Sequence, residues 1–184
     1  MPLASLFRRR SFEAEAFALY GAAVAQARDP LWYAQLCVPD TLDGRFDMIA
    51  LFVFLVVDRA RRDEDRRGPV LAQAVFDAMF ADMDQNLREM GVGDLSVGKK
   101  VKTMWEAFNG RAQAYAAALQ SPDQSVLAEA LARNVWRSKS VPGAAHSLAR
   151  AVRREAAHLA AQPFAHLASG AVTFLPAAEA LAEA

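Results

Sequence analysis

The sequence has one cysteine, Cys37, and three histidines among 184 residues. A single thiol excludes an internal disulfide and fits a reducing compartment, and the apolar neighbours of Cys37 predict a buried, inert side chain. His146, His158 and His166 are widely spaced, with Pro163 between the last two. They share no helical face and have no metal-ligand spacing, so they read as surface residues. Charge of one sign is also missing, because 21 Lys and Arg oppose 21 Asp and Glu. Without a global field, nucleic-acid recognition is not expected. No G-x-S-x-G nucleophile motif or other catalytic set is present, and no cofactor is implied.

Long apolar runs are absent too. The greasiest stretch, Met48 to Val57, lies between Asp47 and Asp58 and is well short of the ~20 residues that span a bilayer. It predicts a central buried helix. The opening Met1-Pro-Leu-Ala-Ser-Leu-Phe-Arg-Arg-Arg10 is followed at once by acidic residues rather than an apolar run, so it does not read as a signal peptide. No segment sustains two-residue alternation, and no sheet is expected.

Helical patterning is abundant, as the 54% hydrophobic content allows. A first helix is expected over 12–28 with Ser11 as N-cap, a short one over 31–36, and a long one over about 45–62. Gly44 is expected to supply a left-handed turn before that long helix. The mixed-sign block Arg59 to Gly68 reads as a solvated helix end and loop. Phe76, Phe80, Met83, Leu87 and Met90 then mark an amphipathic helix from Pro69, ending at Gly91 as a left-handed cap, with Asp84 and Arg88 paired one turn apart. The next helix has Asp94 or Ser96 as cap, an apolar stripe from Val97 to Leu119, and a kink expected at Asn109-Gly110. Ser121-Pro122 restarts the pattern to about Trp136. A linker at 138–143 precedes an alanine-rich helix over 144–162, and Pro163 and Pro176 break the rest into a weakly ordered tail. The expected architecture is therefore all-α: a compact multi-helix domain over 11–137, then a linker, an appended C-terminal helix and a tail over 138–184.

Several local patterns suggest chemistry. Gly93, Gly98 and Lys99 nearly spell a phosphate-binding loop, but Lys100 replaces the magnesium-binding hydroxyl and a helix rather than a strand precedes it. The segment is better read as a helix-turn-helix joint. Asp82, Asp84 and Asn86 have calcium-loop spacing, but Leu87 and Gly93 stand where that loop needs glycine and glutamate, so they read as a polar helix face. Met48, Met79, Met83, Met90 and Met104 suit either core filling, the commoner use, or an adaptable surface for hydrophobic helices.

Two polar clusters are candidate partner-binding residues. Asp40, Thr41, Asp43, Arg45 and Asp47 exceed what a turn needs; helix capping and an interface both account for them. Arg88, Lys99, Lys100, Lys102 and Arg111 bracket the glycine joint, where they can meet acidic loops or lipid phosphates, or form a solvated rim of intrahelical ion pairs.

Three motifs, Val38-Pro-Asp-Thr-Leu-Asp-Gly-Arg-Phe-Asp-Met48, Arg88-Glu-Met-Gly-Val-Gly-Asp-Leu-Ser-Val-Gly-Lys-Lys-Val-Lys102 and Glu106-Ala-Phe-Asn-Gly-Arg-Ala-Gln-Ala-Tyr115, occur in that order. Over roughly residues 15 to 120 the chain resembles the ubiquinol-cytochrome c chaperone family. It departs from the pattern at Phe52, where a histidine is expected, and at Asn109, where an aromatic residue is expected. The resemblance implies a non-enzymatic assembly chaperone for the ubiquinol-cytochrome c reductase, with newly made cytochrome b as client. It also implies a bacterial protein, cytoplasmic and peripheral to the inner membrane. The ribosome and a second assembly factor are further candidate partners. A helical adaptor for some other protein, and a nucleotide-binding enzyme, are the competing readings.

Overall fold

The computed structural model describes residues 12–182, so Ser11 lies outside the described residues. Nine helices follow one another with no strand among those residues: α1 (Glu13–Ala27), α2 (Pro30–Leu36), α3 (Leu42–Arg61), α4 (Gly68–Glu89), α5 (Asp94–Gln120), α6 (Gln124–Val135), α7 (Ala144–Ala160), α8 (Phe164–Ala168) and α9 (Ala177–Leu181). The all-α expectation holds.

The α3 helix is the axis of the molecule. Every residue from Met48 to Val57 is buried, as an all-round apolar helix requires, and α1, α4, α5, α6 and α7 all pack against it. Phe52 sits among rings, its centroid 5.6 Å from that of Trp32 and 5.5 Å from that of Phe174. A histidine there would put a polar ring into this aromatic cluster.

The start of α3 differs from the sequence reading. Thr41 is the N-cap, its hydroxyl accepting from the Gly44 amide at 3.1 Å, while Asp40 turns away to pair with Arg45 at 2.6 Å. Gly44 is helical rather than left-handed. A Cβ there would lie 2.0 Å from the Pro39 carbonyl oxygen, so the glycine is needed for close backbone approach.

Helix ends are stitched by side chains from distant elements, which supply partners to the last carbonyls of a helix. Arg59 donates to the Leu159 and Gln162 carbonyls at 3.0 and 2.8 Å, so the mixed-sign block is solvated only in part. Arg153 reaches the Ala118, Leu119 and Ser121 carbonyls at the end of α5. Trp32 Nε1 donates to the Gln26 carbonyl at 2.8 Å, closing α1.

Other local readings change as well. Asp123, rather than Ser121, caps α6 by accepting from the Ser125 amide. Helix α5 runs unbroken through Asn109 and Gly110, where Asn109 Nδ2 bonds back to the Trp105 carbonyl. Cys37 is exposed rather than buried: it caps the end of α2 with a left-handed φ of 52°, between the buried Leu36 and Val38.

The appended helix α7 enters the same core through Leu148, Val152 and Leu159. After Pro163 the chain stays docked: Leu167, Ala177 and Ala180 are buried. A weakly ordered tail was expected because short, proline-broken segments carry little helical signal; docking onto a preformed core supplies what propensity does not.

A candidate partner-binding groove

Helix α4 follows α3 directly, so its C-terminal half lies beside the N-terminal half of α3, and α5 turns back along α4. The turn is made by Gly91, whose φ of 79° suits glycine, with the Gly91 and Val92 amides bonded to the Arg88 and Leu87 carbonyls. Arg88 holds both sides of this joint, reaching Asp84 at 2.6 Å and Asp94 at 2.5 Å. That pairing takes Asp94 away from capping, and Gly93 is the N-cap instead. Gly98 and Lys99 lie inside the helix, so the phosphate-loop pattern forms no loop.

Between the N-terminal part of α3, the last turns of α4 and the first turns of α5 runs an open groove of about 740 Å³. Its apolar lining comes from Leu42, Phe46 and Ile49 on α3, Met83, Leu87 and Met90 on α4, and Met104 on α5. Leu42 is 69% and Met90 60% exposed. The methionines thus divide by role: Met48 and Met79 are wholly buried, whereas Met83, Met90 and Met104 line the groove.

The candidate residues divide too. Asp43, Arg45, Lys99 and Lys100 line the groove. Asp40 adjoins it through its pair with Arg45, which holds the Asp40 carboxyl below the usual range. Thr41 is the exposed cap of α3. Arg88 is spent on the joint, and Lys102 faces Glu106 at 3.9 Å, off the groove lining. Arg28, at the end of α1, also lines it.

Asp47 and Arg111 are structural. The Asp47 carboxylate is buried, with Arg111 Nη2 at 2.8 Å on one oxygen and Arg137 Nη1 at 2.7 Å on the other. Burial raises its pKa, while Arg111 and then Arg137 oppose the rise. Arg111 also lies 5.6 Å from the centre of the Phe46 ring, so the buried pair backs one wall of the groove. A charge that looks like a free rim in sequence is here committed to the fold.

Sequence reasoning missed Arg28, Leu42, Phe46 and Ile49. A signal was available for α4: its apolar spacing continues to Met90, beyond the last residue the core buries, Met79. No group of three or more His, Cys, Asp or Glu residues suited to a metal occurs among the described residues. No helix among them is long and apolar enough to cross a membrane.

A sequence model of the family described as "Ubiquinol-cytochrome C chaperone" matches residues 34–174. The crystal structure of the Cbp3 homolog from Brucella abortus superposes with a TM-score of 0.79 at 37% identity, covering 95% of this chain and 97% of that one. The ubiquinol-cytochrome-c reductase complex assembly factor 1 of Xenopus laevis is 26% identical over 120 residues, which is 65% of this chain. That alignment spans 59% of the length of the frog protein.

Proposed function

Because this chain belongs to the ubiquinol-cytochrome C chaperone family, we propose that it is a non-enzymatic assembly chaperone for the ubiquinol-cytochrome c reductase, with newly made cytochrome b as its client. The observation that carries the reading is the groove, where the exposed Leu42 and Met90 stand beside apolar side chains and thioethers only partly taken up by the core. Soluble proteins rarely leave such a patch without a partner, and flexible methionines accommodate varied helical clients. Shielding a hydrophobic client needs shape and apolar contact, not a reactive group.

Client engagement at the groove assigns Asp43, Arg45, Lys99 and Lys100 to its rim. Asp47 and Arg111 act behind it by holding Phe46. The test is genetic and biochemical together. Deleting the gene lowers assembled reductase while its transcripts stay level, and the tagged chain co-purifies with cytochrome b from native membranes. Normal reductase in the deletion strain overturns the reading, and co-purification with an unrelated protein alone supports an adaptor instead.

A further inference from the structure

The charges around the groove are not balanced, and the imbalance bears on what enters it. This inference rests on the reading of the groove as partner-facing and extends it to the chemistry of the partner. Arg45 is paired with Asp40 at 2.6 Å, and Asp82 accepts a hydrogen bond from the Tyr20 hydroxyl at 2.6 Å, a neutral donor that leaves the carboxylate its charge. Among the described residues that line the groove, Arg28, Lys99 and Lys100 make no ion pair, and Asp43 is the one carboxylate left without a bonded partner. Three unpaired cations therefore face two carboxylates without a cationic partner, Asp43 and Asp82, which leaves a positive excess. They come from different walls, Arg28 from the end of α1 and the two lysines from the first turns of α5, with the apolar residues between them.

An all-helical trough offers no strand edge for an extended peptide to extend. Its apolar residues come from the adjoining helices α3, α4 and α5, and this arrangement suits a helix with apolar residues at i, i+3, i+4 and i+7. A flat bilayer surface fits less well, because the exposed side chains gather in a concavity rather than on one plane, and Asp43 shares the rim. A segment rich in Lys and Arg, the usual character of cytoplasmic loops beside transmembrane helices, would meet like charge here.

We infer that the groove receives an amphipathic helix whose apolar face is flanked by carboxylates, with Arg28, Lys99 and Lys100 reading that charge. Such contacts guide encounter and reject wrong partners, and they weaken with salt because exposed charges are screened beyond about 8 Å at physiological ionic strength.

Two labelled helical peptides test this on the full chain by fluorescence anisotropy. Both carry leucines at the i, i+3, i+4, i+7 spacing; one is flanked by glutamates, the other by lysines. The glutamate peptide is expected to bind at least tenfold tighter at low salt, with the gap closing as salt rises. In the Lys99→Glu/Lys100→Glu variant the preference is expected to reverse while the melting temperature stays put. Equal affinities, a preference for the lysine peptide, failure of both peptides, or an unchanged preference in the variant would each overturn the inference. Binding to phosphatidylglycerol vesicles without binding to the glutamate peptide would overturn it in favour of a membrane surface. Reductase levels in the deletion strain do not depend on either peptide, so the assembly reading stands or falls separately.

Discussion

The two ends of α4 carry the same apolar spacing and meet different fates. In its first half Leu71, Val75, Phe76 and Met79 are buried; from Phe80 to Glu89 no residue is. Helices α1 and α3 pack along α4, and at its start the segment after Pro163 comes near enough for Arg67 to lie 5.4 Å from the centre of the Phe164 ring. The second half continues through Met83, Leu87 and Met90 into the groove, and its burial falls along the way: Met83 still packs against the core, whereas Met90 is 60% exposed. The contrast between the buried and the exposed end is what the proposed partner-binding role of the groove rests on, and it can be tested residue by residue.

The largest effect should come from the enclosed core around α3. Replacing Phe52 with alanine removes a ring packed between Trp32 and Phe174 and is expected to cost about 3–5 kcal/mol. Denaturant unfolding measures it, and a loss below ~1 kcal/mol would erase the contrast.

Next is a pH effect in the buried core. Glu155 is fully buried and accepts from Gln26 Nε2 and the Leu175 amide, both at 3.1 Å. Burial pushes its pKa up to about 7; the Leu175 amide and Gln26 oppose the rise and Glu179 adds to it. The folded state therefore holds this proton more tightly than the unfolded chain. Its stabilising contribution is complete below the ordinary glutamate pKa and is lost as pH rises through about 7, a change on the order of 3 kcal/mol. Unfolding of Glu155→Gln between pH 5 and 8 should show a shallower decline than the native chain. Parallel curves would mean that Glu155 does not titrate in this window.

At the joint between the two ends, Gly91→Val forces a β-branched residue into a left-handed backbone and is expected to cost about 1–2 kcal/mol. Mg-ATP should shift the melting temperature of neither protein; a shift in the native chain that the variant lacks would revive nucleotide binding. The smallest effect belongs to the open end. Leu42→Ser and Met90→Ser should each change stability by less than ~0.5 kcal/mol, since both side chains are largely exposed.

What was legible in the sequence was local. The buried α3, the Asp84–Arg88 pair and the left-handed Gly91 follow from periodicity, spacing and backbone preference within a few residues. What was illegible was choice of partner across the chain. Nothing near Arg111 in sequence indicates that its guanidinium serves Asp47, or that Arg59 and Arg153 finish helices to which they do not belong. Cap residues were misassigned for a related reason: Asp94 had a stronger partner in Arg88, and Asp40 in Arg45. The candidate site was half visible because its cations are conspicuous, whereas Leu42, Phe46 and Ile49 read as the start of a core helix. Only the geometry shows that Leu42 stands outside the core and that Phe46 and Ile49, though packed on or in it, also line the groove.

The most direct test of the open end puts the Leu42→Ser/Met90→Ser double variant into the deletion strain and measures assembled ubiquinol-cytochrome c reductase beside the variant's own melting temperature and abundance. A variant as stable and abundant as the native chain that fails to restore the reductase is the predicted result; full restoration of the complex would contradict the claim that this end of the molecule exists for a partner.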